Sequence, residues 1–247
     1  MSDVPQTKPT LILLHAAGRG GRAWQGVAPL LADAFTVLTP DLPGFNDAPG
    51  PFTMAAAVRH IADLAGAQPS PVRLCGLSLG ASVALAVAAE HPDLADRVVA
   101  SAPAIDGARH RRVTALYRRA PGWAVRRLTD LPGRTAWLSF VDEIAAVDLG
   151  DDLPRIIANT LVLCGSRDRA NLPEARLAGD AIPNGQFYLV PHVGHAWPVT
   201  QPKLFATVVR PFLTASRDNI ASRGDTAPRD YIAMSERPGE RSPRTSD

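Results

Sequence analysis

One short stretch, residues 72–90, restricts the fold of this chain more than any other. Residues 72–75 form a mostly apolar run of the kind found in buried strands. Residues 81–90 are rich in Ala and Leu and contain neither Pro nor Gly, which favours a helix. The sequence Gly-Leu-Ser-Leu-Gly at 76–80 joins them. So sharp a turn strains the backbone at Ser78, and its flanking glycines permit close backbone approach. The stretch therefore predicts a serine hydroxyl at the carboxyl end of a strand, beside the free N–H groups of a helix start.

This arrangement is the residue pattern of the nucleophile elbow, and the chain resembles the α/β-hydrolase superfamily over about residues 10–213. The resemblance implies an α/β fold: a mostly parallel central sheet of about six strands flanked by helices, with a short helical cap. It also implies that Ser78 is the catalytic nucleophile and that the backbone N–H of Leu79 forms half of an oxyanion hole. The alternative is an incidental serine in a glycine-rich turn.

The other two members of a catalytic triad are implied by their positions after later strands. Gly165-Ser166-Arg167-Asp168 follows a predicted strand, where the family carries its acid in a Gly-x-x-Asp turn, so Asp168 is the match. Asp106, after the preceding strand, competes with it because some members place the acid there. Gly194-His195 follows the last predicted strand and matches the catalytic base. The order Ser, Asp, His is that of the α/β-hydrolases.

The loop after the first predicted strand supplies the second half of the oxyanion hole. It begins His15-Ala16-Ala17, where the family usually has His-Gly followed by a variable residue whose N–H binds the oxyanion. By position that residue is Ala17. Ala16 replaces the usual glycine and, together with Trp197 beside the base, is assigned to the substrate pocket. The family equivalent of His15 braces this loop, so His15 is not expected to be the base.

The βα rhythm divides the chain into three parts. Residues 1–104 and 158–215 are expected to form the hydrolase core, and residues 105–157 to form a cap insertion over the active site. Residues 216–247 have six Arg, six acids and few large apolar residues, so they are expected to be disordered.

The cap segregates its charge. Residues 104–135 contain eight arginines and two acids, whereas residues 142–152 contain five acids and no base. One interpretation is a solvated basic helix that pairs with the acidic part. The other is that one arginine points inward and holds a substrate carboxylate in bidentate geometry. The arginines are Arg109, Arg111, Arg112, Arg118, Arg119, Arg126, Arg127 and Arg134.

Composition limits the partners. A net charge of +2 over 247 residues is too balanced to indicate nucleic acid as the main partner. No apolar run approaches the roughly 20 residues that span a bilayer, and no signal peptide is recognised, so no membrane partner is expected. His192 precedes His195 without a cluster of further ligands, so no metal is expected. A small-molecule substrate and no cofactor are predicted, and a homodimer is left open.

The two cysteines, Cys75 and Cys164, end two predicted interior strands. If the family strand order holds, another strand separates theirs, and two strand spacings of about 4.8 Å exceed the Cα separation that a disulfide allows. Both are therefore expected to be buried free thiols in a cytoplasmic protein.

The resulting hypothesis is a serine hydrolase that cleaves a carboxylic ester or lactone of a small molecule through an acyl-enzyme intermediate. A C–C bond hydrolase of ring-cleavage products and a ligand receptor with little turnover are the alternatives. Ala196 follows the base where hydroxynitrile lyases of this fold have Lys, which disfavours cyanohydrin chemistry. A Ser nucleophile disfavours epoxide hydrolases and haloalkane dehalogenases, whose equivalents use Asp.

Overall fold

Six parallel strands form the centre of the structure. A computed structural model describes residues 8–215 except 19, 47, 70, 110, 130 and 132. For residues 111–113, 117 and 126–128 it describes the backbone but not the side chains. Within these residues one sheet has the strand order β2-β1-β3-β4-β5-β6, and every neighbouring pair is parallel. The strands are β1 Thr10–Leu14, β2 Thr36–Leu38, β3 Val72–Leu77, β4 Ala95–Ser101, β5 Asn159–Gly165 and β6 Gly185–Val190.

Helices connect these strands, as the βαβ rhythm requires for a parallel sheet. Short 3₁₀ helices also occur at Gly21–Trp24 and Leu153–Arg155. The described helices are α1 Ala28–Leu31, α2 Met54–Gly66, α3 Leu79–Glu90, α4 Arg111–Arg118, α5 Gly122–Leu128, α6 Arg134–Ala146, α7 Leu172–Ala181, α8 Trp197–Thr200 and α9 Pro202–Thr214.

Both faces of the sheet are buried, which explains why its strands are continuous apolar runs. Ile12 and Leu14 of β1 point to one face and join the core formed with α2, α3 and α7. Leu11 and Leu13 alternate to the other face and are equally buried. On that face α9 lies against β4, where the Arg97 guanidinium sits 5.6 Å from the Phe212 ring centroid. The predicted fold class is confirmed.

The spacing of apolar residues over 22–32 predicts a single helix there, and this prediction is wrong. The structure has a 3₁₀ turn and then the four-residue α1, separated at residues 25–27. Pro29 in the first turn of α1 has no N–H to donate to a carbonyl of the preceding turn, so one α-helix cannot run through this segment. The helix α7 is an element that the sequence analysis did not predict.

The cap segment, residues 105–157, contains α4, α5 and α6. Helical spacing predicts that Leu116 of α4 lies on the face opposite the arginines, and its side chain is 68% exposed. The division into core and cap stays a prediction, and the expected disordered tail at 216–247 lies outside the described residues.

The expectation that both cysteines are buried free thiols is confirmed. Cys75 in β3 and Cys164 in β5 are buried free thiols, and β4 lies between their strands. No helix in the described part of the chain combines the length and apolar character needed to cross a membrane.

Candidate active site

Ser78 occupies the strained turn that the sequence predicts. It is the N-cap of α3, with φ 54° and ψ −116°, a conformation that non-glycine residues rarely adopt. Its N–H donates to the Ser101 carbonyl at 2.8 Å, which ties the turn to β4. A Cβ on Gly80 would lie 2.2 Å from the Leu14 oxygen, and one on Gly76 would lie 2.2 Å from the Gly80 oxygen. Both glycines are therefore required for the close approach of β1, β3 and α3.

Asp168 and His195 are brought together at the carboxyl ends of β5 and β6. Asp168 Oδ2 lies 2.7 Å from His195 Nδ1, a short hydrogen bond across 27 residues of sequence. The Asp168 side chain is 5% exposed and that of His195 is 40% exposed. The pair therefore has a buried acid and an imidazole that remains accessible from solvent.

Hydrogen bonds between the two loops fix this arrangement. The Ser166 N–H donates to the Val190 oxygen at 2.8 Å, and the Arg167 N–H donates to the Val193 oxygen at 2.9 Å. The His192 N–H returns a bond to the Ser166 hydroxyl at 2.8 Å. The loop that carries the acid is thereby bound to the loop that carries the histidine on both sides of the pair.

The Asp168 carboxyl is held in its ionised form. Burial acts to raise the pKa of Asp168, but hydrogen bonds from His195 and Asn171 outweigh that effect, and its pKa is lowered. A carboxylate here can accept Nδ1–H of His195, which leaves Nε2 of the neutral ring free to accept a proton.

His15 braces the loop between β1 and the 3₁₀ helix. Its Nε2 accepts the Leu42 N–H at 3.0 Å, so its proton is on Nδ1, which donates to the Ala16 oxygen at 2.8 Å. Both ring nitrogens are thus engaged, which leaves none to act as a base. Asp41 supports the same loop because its Oδ1 accepts the Gly21 N–H at 2.6 Å.

A cavity of about 550 Å³ lies above the elbow, at the carboxyl edge of the sheet. This is where open α/β sheets place their ligands, near the point at which the strand order reverses between β1 and β3. The core side of its wall includes Ser78, His195 and the two residues expected to form the oxyanion hole, Ala17 and Leu79. Ala16 also lines it. The cap side is supplied by Ala120, Val125, Thr129, Trp137, Phe140, Val141 and Ile144.

Trp197 is not in the cavity wall, contrary to its assignment to the pocket. It is 1% exposed and packs with its ring centroid 5.1 Å from that of Phe205. Phe205 in turn packs against Trp24, which lines the cavity where Trp197 was expected to. Trp197 is the first residue of α8, and that short helix directs its side chain into the core.

The competing assignments are placed elsewhere. The carboxylate of Asp106 accepts the Arg109 Nε–H at 3.1 Å and the Ala108 N–H, whereas Asp168 is the carboxylate that contacts His195. His192 is exposed, with φ 61°. Among the described residues no group of three or more His, Cys, Asp or Glu is arranged to hold a metal ion.

Three of the eight arginines in residues 104–135 have described side-chain contacts, each with another protein group. Arg109 pairs with Asp106, and Arg118 pairs with Asp142 of the acidic part. Arg134 donates to the carbonyls of Ala120 and Arg118. Of these contacts, the Arg118–Asp142 pair is the one that joins the basic helix to the acidic part. The side chains of the arginines at 111, 112, 126 and 127 lie outside the described residues.

Asn171 joins the acid–base pair, and sequence reasoning missed it. Its Nδ2 lies 2.8 Å from Asp168 Oδ1 and 3.1 Å from His195 Nδ1. An Asn three residues after a turn Asp carries no distinctive signal, because Asn is common in turns for local reasons.

Both the sequence and the fold have counterparts among known proteins. A model of the alpha/beta hydrolase family matches residues 11–208. A pimeloyl-acyl-carrier-protein methyl ester esterase of Aeromonas hydrophila is 37% identical over 86 residues. That match spans only about a third of each protein, 34% of this chain and 34% of the relative.

Solved structures share the fold over most of their length. The enol-lactonase of Burkholderia xenovorans LB400 has a TM-score of 0.74 at 22% identity, covering 86% of this chain and 94% of the enzyme. At that identity the likeness concerns the fold alone. A thermophilic esterase of Thermogutta terrifontis has a TM-score of 0.70 at 26% identity, covering 84% of this chain and 90% of the esterase.

Proposed function

Because this chain belongs to the alpha/beta hydrolase family, we propose that it is a serine hydrolase that cleaves a carboxylic ester or lactone of a small molecule. The observation that carries the proposal is the Asp168–His195 hydrogen bond of 2.7 Å beside a cavity that Ser78 and His195 both line. Hydrolase activity is the common theme of the related proteins. Beyond hydrolase activity, we propose that the substrate is an ester or a lactone and that a serine is the nucleophile.

The proposed mechanism assigns one role to each group. Ser78 Oγ attacks the substrate carbonyl carbon while His195 Nε2 takes its proton. Asp168 fixes the imidazole tautomer and stabilises the imidazolium. The N–H groups of Ala17 and Leu79 stabilise the oxyanion, each worth about 3 kcal/mol by analogy with measured cases. His195 then protonates the leaving alcohol, and water repeats the sequence on the acyl-enzyme to release the acid.

The strained conformation of Ser78 supports its role as the nucleophile. A φ of 54° in a non-glycine residue costs of the order of 1–3 kcal/mol and persists only where surrounding structure imposes it. Here the surroundings are β3, the start of α3 and the adjacent β4. The turn places the residue in the wall of the cavity and beside helical N–H groups that have no intrahelical acceptor.

A kinetic comparison tests the mechanism. p-Nitrophenyl acetate and butyrate are mixed with wild type and with Ser78→Ala, and p-nitrophenol release is followed from the first milliseconds. We expect turnover, and a burst if deacylation is rate-limiting, with both lost in Ser78→Ala. Ser139→Ala, an exposed serine of α6, is the matched control and should behave as wild type.

Two results would contradict this proposal. Ser78→Ala with undiminished turnover would exclude a seryl intermediate. Wild type that cleaves no ester or lactone of a broad panel, yet is stabilised against heat by one of them, would identify a receptor instead.

The cavity wall indicates an uncharged substrate. Among the described side chains that line the cavity there is no Lys, Arg, Asp or Glu. Thr129 Oγ1 is already engaged with the Val125 oxygen, and Thr200 Oγ1 with the Ala196 oxygen. Because desolvating a carboxylate without a counter-charge costs several kcal/mol, an anionic substrate group would be rejected.

Matched esters test this preference. We expect kcat/KM for dimethyl glutarate to exceed that for monomethyl glutarate by about 100-fold, the equivalent of about 2.7 kcal/mol. Arg126→Gln and Arg127→Gln are assayed in parallel because these two cap arginines directly follow the lining residue Val125 in the sequence. Equal rates for the two esters, or an anionic ester whose cleavage depends on either arginine, would contradict the assignment.

A further inference from the structure

Asn171 stands at the N-cap of α7 but does not cap it. An N-cap Asn usually accepts an N–H from the second or third helical residue. In α7 a proline occupies the first turn, and Asn171 makes no capping hydrogen bond with its side chain. The side chain turns instead to the acid–base pair. The Asn171 side chain therefore contacts Asp168 and His195 instead of capping α7.

The amide nitrogen of Asn171 completes a clamp on the Asp168 carboxylate. Nδ2 donates to Asp168 Oδ1 at 2.8 Å, while His195 Nδ1–H donates to Oδ2 at 2.7 Å. The two carboxylate oxygens thus accept from two different residues. The 3.1 Å contact between Asn171 Nδ2 and His195 Nδ1 brings two N–H groups side by side, and both reach the same carboxylate.

We propose that Asn171 is a positioning residue that fixes the Asp168 carboxylate toward His195 and sets the pH range in which His195 acts as the base. This inference rests on the proposed function, since it assigns His195 that role. Asn171 acts through Asp168 and does not touch the substrate carbonyl.

The surroundings of Asp168 leave few other groups to perform this task. From β5, the Cys164 thiol contacts the main-chain oxygen of Asp168 at 3.8 Å. Its sequence neighbours Arg167 and Arg169 are exposed. The hydrogen bonds that hold the carboxylate come from the side chains of His195 and Asn171 and from the main-chain N–H of Asn171. Together they keep the pKa of Asp168 lowered against the burial that would raise it.

Removing the amide donor has a predictable sign. His195 Nδ1–H remains a donor to Asp168 in the variant, and without the Asn171 side-chain N–H it balances a larger share of the carboxylate charge, which favours the protonated ring. The acid limb of the kcat/KM profile then moves to higher pH. A carboxylate at position 171 adds a second negative charge about 3 Å from the pair and moves the limb further in the same direction.

Two substitutions separate this role from helix capping. Asn171→Ala removes both the donor and the capping oxygen. Asn171→Asp keeps the size and is as good an N-cap as Asn, but its carboxylate has no N–H to donate. We expect kcat to fall about 10-fold in Asn171→Ala and at least as far in Asn171→Asp, with KM within about twofold of wild type. Asn184→Ala, an exposed Asn whose amide donates to the Ile157 oxygen, is the matched control.

The opposite pattern would overturn the proposal. If position 171 matters only as a helix cap, Asn171→Asp will have wild-type kcat and an unshifted acid limb, and only Asn171→Ala will be impaired. Wild-type kcat and an unshifted limb in both variants would also overturn it.

A second measurement does not require turnover. ¹⁵N NMR follows the imidazole of His195 through a pH titration in wild type and both variants, with the signal assigned by its loss in His195→Gln. We expect the midpoint to rise from wild type to Asn171→Ala and again to Asn171→Asp. A midpoint that shifts in a protein without ester turnover would leave the positioning role intact while the proposed function fails. Turnover that depends on Ser78, with identical midpoints in all three proteins, would reject the positioning role alone.

Discussion

At the scale of the single residue, Asp168 shows how hydrogen bonds keep a buried carboxylate ionised. Its carboxylate lies under the protein surface, where burial alone would favour the neutral acid. Donors from two loops reverse that preference, so the pKa of Asp168 is lowered. The ionised form is therefore stabilised more in the folded chain than in the unfolded one, and the interaction that the proposed mechanism uses also contributes to stability.

This linkage predicts a pH-dependent contribution to stability. Because the folded pKa is lowered, the contribution is present above the unfolded value of about 3.9 and is lost as pH falls through the folded value. The free energy of unfolding in urea, measured from pH 7 to pH 3, should show wild type more stable than Asp168→Asn, with the difference shrinking below about pH 4. In the activity assay Asp168→Asn should lose about 10³–10⁴-fold in kcat, as removal of the triad acid does elsewhere.

Asp63→Asn serves as the control for that titration, because Asp63 is an exposed carboxylate on α2. Its substitution should leave the profile of unfolding free energy against pH unchanged. A wild-type advantage over Asp168→Asn that stays constant from pH 6 to pH 3 would mean that the carboxylate charge contributes nothing to folding.

The sequence located the residues of the site better than it located their partners. Ser78 is marked by its own backbone requirement, since the glycines around it are imposed by β1 and α3. Asp168 and Asp106 both follow strands, so the sequence left them as competitors. The hydrogen bonds that tie the loop after β5 to the loop after β6 give His195 its neighbour, and such long-range contacts have no local signature.

At the scale of the element, α7 follows the loop that carries Asp168 and forms hydrogen bonds to the first residues of the cap segment. Glu174 lies in its first turn and is 2% exposed. Its Oε2 accepts the N–H groups of Ile105 at 2.8 Å and Asp106 at 3.2 Å. From α3, the Ser82 hydroxyl donates to the Ala104 oxygen at 2.6 Å. The segment that leads from β4 into the cap is therefore held by two helices of the core.

This anchoring predicts that Glu174→Ala loosens the start of the cap. Two buried N–H groups would lose their acceptor, at a cost of about 2–4 kcal/mol in the free energy of unfolding. Glu174→Gln keeps one acceptor oxygen and should lose less. Hydrogen exchange, read at the amides of Ile105 and Asp106, should be faster in Glu174→Ala than in wild type.

Glu90→Ala removes an exposed carboxylate at the end of α3 and should leave the exchange of those two amides at the wild-type rate. Wild-type protection of Ile105 and Asp106 in Glu174→Ala would show that other contacts hold the cap entrance.

Elements were predictable where local chemistry decides them. The sequence predicts a helix over residues 53–65 with Thr53 as its N-cap, and this is confirmed because Thr53 Oγ1 accepts the Ala56 N–H at 3.0 Å at the start of α2. The helix expected over 22–32 was wrong because Pro29 interrupts the helical hydrogen bonds. In α4 the periodicity places Leu116 on the apolar face of the helix. It does not determine whether other elements pack against that face, and Leu116 is exposed.

At the scale of the whole molecule, helices on both faces of the sheet bury the cysteines of its central strands. Burial raises the pKa of Cys75, and burial followed by the charge of Asp168 raises the pKa of Cys164 to about 12. A thiol of this kind has almost no thiolate at neutral pH and no access to reagent, so it is inert while the sheet is intact. The two thiols report on the interior of β3 and β5, on either side of β4.

We therefore expect neither cysteine to react with DTNB in the native protein and both to react in urea. Since exposing β3 or β5 requires removal of the helices that cover the sheet, the labelling rate should rise with urea as steeply as global unfolding does, when both are measured under the same conditions. Cys75→Ala and Cys164→Ala, each with one thiol left, should then give the same slope. A thiol that reacts in the native protein, or a slope for Cys164 well below that for Cys75, would show that the β5–β6 edge beside the candidate active site opens independently of the rest of the sheet.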